Sequence, residues 1–382
     1  MLKLPIAEIL EIAERFGPQL QSPMSEQKHI VIVGAGVIGL SAALAISEHL
    51  TIPHRLTIIA SHFPDDKVYV PEYTSPWAGA HFRPQPATNE AQRREAKMTR
   101  VTQSYFKKLA ETNPESSVKF VEGIEYFDEP SEEYLNCSGG YSQDIENFHI
   151  LPDHDLPPGV SFGTSYTAWV VNAPLYIQFL QRKLKMQYNV QFVKAKINSL
   201  KNLFHRIEDC SVLVNCTGKG LQYHGGYDHL SFSMRGQTLL VRPPKDYTVE
   251  KTITHQLKNG DWTFCIPRPL YGGVIIGGTK QVNDNRSLPR ERDSIDIIKR
   301  ARELFPELMK TKGRGEKYFD VERVNVGFRP CRKGGFKVEI ENHGDSVIIH
   351  AYGAGGMGYE LSYGAGMKVY ELMSQLLTRT RL

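Results

Sequence analysis

29-HIVIVGAGVIGL-40 sets four apolar β-branched residues directly against glycines at positions 34, 36 and 39. Ile30 to Val33 has the all-apolar character of a strand buried on both faces of a parallel sheet. From Val37 to Leu50 the pattern turns helical and alanine-rich. The glycines therefore stand between a strand and a helix, the setting that a dinucleotide-binding fingerprint requires. Gly34 permits the tight turn, Gly36 lets backbone approach a pyrophosphate, and Gly39 lets the helix pack close to the strand. Ala35, Val37 and Ile38 complete the loop, and the helix start offers unpaired N–H groups to phosphate. The fingerprint alone does not choose between a nicotinamide and a flavin dinucleotide.

A carboxylate about 20 residues further on normally holds the ribose. Here the second strand, 55-RLTIIA-60, ends in Ser61 and His62, and Asp65 and Asp66 come only later. A serine bonds a ribose less strongly than a carboxylate does.

A second glycine turn lies over 300 residues downstream, in 347-VIIHAYGAGGMGYELSYGAGMKVYELMSQLL-377. Val347 to His350 reads as a strand, and Gly353, Gly355, Gly356 and Gly358 form a loop. A helix follows, with apolar residues at Met367, Tyr370, Met373 and Leu377. Such glycine density suits backbone pressed against a flat ligand at a helix N-terminus. A reduced isoalloxazine carries negative charge that such donors stabilise, so this second turn favours FAD over a nicotinamide.

The 382-residue chain has ordinary composition, 41% apolar and 23% charged, with a formal charge of +4. Arg93, Arg94, Lys97 and Arg100 read as one solvated helix face, not as a nucleic-acid surface. The five cysteines are odd in number and form no C-x-x-C, which points to no zinc site, no disulfide framework and a reducing compartment. No apolar run is long enough to span a bilayer. Glu8, Glu11 and Glu14 interrupt the opening segment, so residues 1–23 read as an extension rather than a secretory signal.

Seven pieces in order resemble the D-amino-acid oxidase family, which includes D-aspartate oxidase. They are VIVGAGVIGLS (31–41), TSPWAGAHF (74–82), LVNCTGKG (213–220), RGQTLLVRPP (235–244), IPRPLYGGVIIGGTKQ (266–281), VGFRPCRKGG (326–335) and AYGAGGMGYELSYG (351–364). The resemblance implies an α/β fold with a discontinuous Rossmann-like FAD-binding domain and a second, α+β substrate domain on an antiparallel sheet. One FAD touching both glycine turns gives a cofactor domain of 24–82, 172–222 and 326–382. The substrate domain is then 83–171 and 223–325. It also implies FAD contacts from Ser61, His62, Thr74, Ser75, Ala78, Gly79, Ala80 and Ile197. Cys216, Thr217 and Gly218 are implied in the turn at the sheet edge, with Gly355, Gly356, Met357, Gly358, Tyr359 and Glu360 at the second turn.

Arg329 follows an apolar strand residue and precedes a proline expected to end pairing. The matching arginine in the family clamps the substrate α-carboxylate, a role suited to its planar fork and also implied beside the FAD. The backbone carbonyl at the position of Gly356 receives the substrate amino group. A family tyrosine on that carboxylate is replaced here by Phe264. Tyr223, Tyr227, Tyr271 and Tyr359 are the candidate substitutes, and Trp262 is a candidate pocket wall. Lys280 stands where D-aspartate oxidases carry an arginine, and it either meets a side-chain carboxylate or points to solvent. His81 and Arg83 would add positive charge at the pocket mouth.

The implied reaction is oxidation of a D-amino acid, leaning to acidic ones, by hydride transfer to flavin N5, giving a 2-oxo acid, ammonia and hydrogen peroxide. The partners are the amino acid and dioxygen, with a homodimer or higher homo-oligomer as the assembly. The alternatives are a neutral D-amino-acid oxidase, a glycine- or sarcosine-type amine oxidase, or a family member that binds FAD with little turnover. The C-terminal Thr380-Arg381-Leu382 resembles a peroxisomal tripeptide in two positions, with the cytoplasm as the alternative.

Overall fold

The computed structural model describes residues 27–207, 209–344 and 346–379, the side chain of residue 379 excepted. The 1–23 extension and the C-terminal tripeptide lie outside the described residues.

In chain order the elements that build the site are β1 (Lys28–Val33), α1 (Val37–His49), β2 (His54–Ala60), α2 (Glu90–Thr112) and β3 (Val118–Phe127). Then come β4 (Phe162–Val171), α3 (Ala173–Gln187), β5 (Gln191–Lys194), β6 (Cys210–Asn215), β7 (Ser231–Val241) and β8 (Lys251–Gln256). The rest are β9 (Trp262–Pro267), β10 (Val274–Gly277), α4 (Glu291–Leu304), β11 (Val321–Arg332), β12 (Lys337–His343), β13 (Ser346–Tyr352) and α5 (Gly358–Arg379).

Six strands form one sheet in the order β12-β13-β6-β1-β2-β5, parallel except for the β12–β13 hairpin. Its centre, Ile30 to Ile32, is 0% exposed, which explains why β1 shows no polar alternation. α1 is buried between this sheet and α5. A Cβ at Gly366 would collide with the Ser41 carbonyl, so glycine there sets how closely the two helices approach.

The second sheet has nine strands, mostly antiparallel as expected, with one parallel pair, β3 with β8. α4 covers it through Ile297 and Ala301, with Phe305 just past its end. β11 pairs with β7 along its whole length, from Val321 opposite Val241 to Arg332 opposite Ser231. It therefore runs across position 326, the expected domain boundary.

Pro330 does not end that pairing, contrary to expectation, and sits opposite Ser233. Its carbonyl accepts Gly355 N–H (2.9 Å) on the side away from β7. The missing N–H faces the same side, where loops rather than a further strand of the sheet lie among the described residues, the place an edge strand tolerates proline.

Candidate active site

The carboxyl ends of β1, β2, β6 and β13 open into a cavity of about 620 Å³ that extends to the second sheet. Ligands of open α/β sheets bind at such a crevice. Both glycine turns line it, one from Gly34 to Ile38 and the other from Gly353 to Glu360. Segments far apart in sequence thus face one space.

The first turn behaves as its residue types demand. Gly34 has φ +109°, and a Cβ on it would strike the Cys216 carbonyl. A Cβ on Gly39 would strike the Gly34 carbonyl, so Gly39 serves helix packing and does not itself line the cavity. Gly36 makes no side-chain cap, and the first turn of α1 carries no acidic residue. Ser75 Oγ accepts Val37 N–H (3.0 Å), which fixes the 74–79 loop onto the helix start. The remaining donors of that turn stay available to an anion.

Every other residue implied for the cofactor lines the cavity: Ala35, Gly36, Val37, Ile38, Ser61, His62, Thr74, Ser75, Ala78, Gly79, Ala80, Ile197, Cys216, Thr217, Gly218 and the 355–360 run. Asp65 and Asp66 are engaged elsewhere, with Gln181 and Lys194. No carboxylate follows β2 into the cavity, and among the described residues the lining carboxylates are Glu72 and Glu360. The 215–218 turn caps β6, a central strand between β1 and β13. Buried Arg268 donates to the carbonyls of Pro76, Ala78 and Gly79 and so shapes the 76–79 loop, a role sequence reading missed. The glycine geometry, the donors at α1 and a cavity lined by both glycine turns fit a dinucleotide.

At the far end stand Arg329, Lys280, Phe264 and Trp262. Arg329 Nη1 donates to the Thr279 carbonyl (3.1 Å), and no carboxylate pairs with the guanidinium among the described residues. Burial lowers its pKa. A Cβ on Gly356 would lie 3.9 Å from Arg329 Cδ, so the second glycine turn and the guanidinium are neighbours.

Phe264 packs its ring against Gly277 and Gly278. Of the candidate tyrosines only Tyr227 and Tyr359 line the cavity. The Tyr359 hydroxyl is spent on the Ser75 and Ala173 carbonyls, Tyr223 stacks on His343, and Tyr271 is fully exposed. Of the two that line the cavity, Tyr227 is the one whose hydroxyl makes no hydrogen bond among the described residues.

The charges differ from expectation. Burial, then Arg83, pushes His81 down to about 3, so His81 is neutral at ordinary pH. Arg83 is not at the mouth but buried, donating from Nη1 to Glu125 (2.8 Å). Burial opposes its charge, yet Glu125 outweighs that and its pKa is raised. Lys280 faces the cavity, where burial first, then Arg83 and Arg329, bring its ammonium down to about 7. Glu360 accepts Arg83 N–H (2.9 Å), and burial pushes its carboxyl up to about 7.

A dinucleotide crevice joined to a cationic chamber on a mostly antiparallel sheet defines a flavin-dependent oxidoreductase. The chain belongs to the FAD-dependent oxidoreductase family, whose pattern matches residues 29–372, and its cofactor is FAD. It is 36% identical over 363 residues to the D-aspartate oxidase of Talaromyces thermophilus, covering 90% of this chain and 94% of that protein. It is 38% identical over 348 residues to the D-amino-acid oxidase of Schizosaccharomyces pombe, covering 90% and 95%. The glycine oxidase structure from Bacillus cereus shares the fold, with a TM-score of 0.66 and 16% identity over 92% of this chain and 96% of that one.

Proposed function

We propose that the protein oxidatively deaminates D-amino acids and favours acidic ones. The observation that carries this reading is Arg329, a guanidinium without a carboxylate partner among the described residues, beside the second glycine turn and in one cavity with Lys280. The fork of Arg329 would fix the substrate α-carboxylate, and Gly356 would offer its carbonyl to the amino group. Lys280 would meet a side-chain carboxylate as a point charge.

Bound FAD supplies the hydride acceptor for the substrate Cα–H bond and the electron link to dioxygen. The imino acid left behind hydrolyses to a 2-oxo acid and ammonia, with hydrogen peroxide as the second product. The chain's own work is orientation, which needs no proton-abstracting base at Cα. Residues 34–38 would hold the pyrophosphate on the α1 N–H groups, Ser61 and His62 the ribose, and 355–360 the ring edge.

Anaerobic mixing of the FAD-loaded protein with a panel of D- and L-amino acids tests the reading. Bleaching of the flavin by D-aspartate and D-glutamate before neutral D-amino acids is expected. Bleaching by sarcosine or glycine alone, or by nothing, would overturn it.

A further inference from the structure

Lys280 carries the selectivity in the reading above, yet nothing polar fixes its ammonium. Among the described residues it has no hydrogen bond and no carboxylate within ion-pair distance. The groups around it are Arg83 from the segment before α2, Arg329 on β11 and Asp261 just ahead of β9. Two of these are cations that repel it. A lysine in that position gains by swinging its four-carbon stem toward water.

Trp262 is what opposes the swing. It opens β9, lines the cavity, and lies half-buried. Lys280 Nζ stands 3.1 Å from the centroid of its ring. Arg83 Cζ stands 4.3 Å from the same centroid. Arg83 is itself locked by Glu125, whose side chain is 0% exposed, so the ring is braced by an immobile neighbour. Lys280 itself is exposed, so the contact belongs to the class of solvent-accessible cation–π pairs, which contribute about 0.5–1 kcal/mol.

We propose that Trp262 is a positioning residue for substrate selectivity: its indole face holds the Lys280 ammonium in the cavity, and discrimination between acidic and neutral D-amino acids depends on that ring. The inference rests on the reading that Lys280 meets a side-chain carboxylate. Arg83 takes part only by bracing the ring. A substrate with two carboxylates then spans Arg329 and Lys280, whereas one with a single carboxylate gains nothing from Trp262.

The test compares FAD-loaded wild type, Trp262→Leu, Trp262→Phe and Lys280→Met. Steady-state kcat and KM are measured for D-aspartate and D-alanine at pH 6.5, and binding of the inert ligands succinate and propionate is followed through the flavin spectrum. Trp262→Leu is expected to lower the aspartate-to-alanine ratio of kcat/KM by roughly two- to fivefold, through the KM of D-aspartate. Succinate affinity should fall in step while propionate affinity holds. Trp262→Phe, which offers a weaker face, should fall about twofold and carries the test alone if the leucine variant does not fold. Equal losses on both substrates, or losses confined to kcat, would show a merely structural ring and overturn the inference. If Lys280→Met lowers the ratio and neither Trp262 variant does, the inference alone fails. If Lys280→Met leaves the ratio unchanged, the reading of Lys280 falls and the inference with it.

Discussion

Arg329 and Gly236 lie diagonally across the β11–β7 pair, and the guanidinium rests where a side chain at 236 would stand. Arg329 is directly opposite Met234, so Gly236 is its same-face neighbour two residues along. The absent side chain at 236 is what lets the arginine lie flat on the strand and turn its fork toward the cavity.

Gly236→Ala is therefore expected to disturb the anchor without touching the cofactor turns. The new methyl group collides with the guanidinium, and a displacement of about 1 Å can cost on the order of a hundredfold in catalysis. KM should rise about tenfold or more for every D-amino acid, with flavin content unchanged. Normal KM values in a folded variant would place the working position of Arg329 elsewhere.

Removing the guanidinium itself should be more severe. Hydrogen bonds to a charged carboxylate contribute about 1.5–3 kcal/mol each, so Arg329→Ala should lower kcat/KM by at least about a hundredfold while keeping FAD. Arg329→Lys should recover only part of this, because a point charge lacks the fork. Unchanged steady-state kinetics in the alanine variant would remove the carboxylate anchor.

Selectivity should depend on pH. Lys280, near 7, is charged below that value and neutral above it. The aspartate-to-alanine ratio of kcat/KM is expected to fall as pH rises from about 6 to 8.5, and to be flat in Lys280→Met. Loss of the substrate ammonium proton affects both amino acids and cancels in the ratio. A wild-type ratio that stays level over this span would contradict the assignment.

Glu360 makes a stability prediction. Its carboxyl is raised from 4.5 to about 7, so the folded state holds the proton more tightly than the unfolded chain. That contribution is present in full below pH 4.5 and is lost as pH rises through about 7. Glu360→Gln has no such loss, and its stability relative to wild type should improve between pH 5 and 8 by on the order of 3 kcal/mol. Parallel denaturant titrations of both proteins at the two pH values measure it, and a constant gap would refute it.

How far the sequence could be read depends on whether a feature is local. The roles of Gly34 and Gly39 follow from residue type and short-range geometry, and both take the predicted conformations. The joining of the two glycine turns was legible because only one large ligand needs both. Gly236, Arg268 and the Trp262–Lys280 contact were not, since each depends on strand register or on loops that meet from distant parts of the chain. Pro330 misled for the same reason: a proline ends pairing in a central strand, but the outer side of β11 meets loops at Pro71 and Gly355 rather than another strand. His81 and Arg83 counted as charges in one dimension, and only burial and Glu125 show that one is neutral and the other compensated.

Because β13 and the start of α5 supply one wall of the crevice opened by β1 and α1, the cradle is complete only when segments from both ends of the described chain have come together. Assembly of the cofactor pocket is thereby tied to the longest-range contacts of the fold.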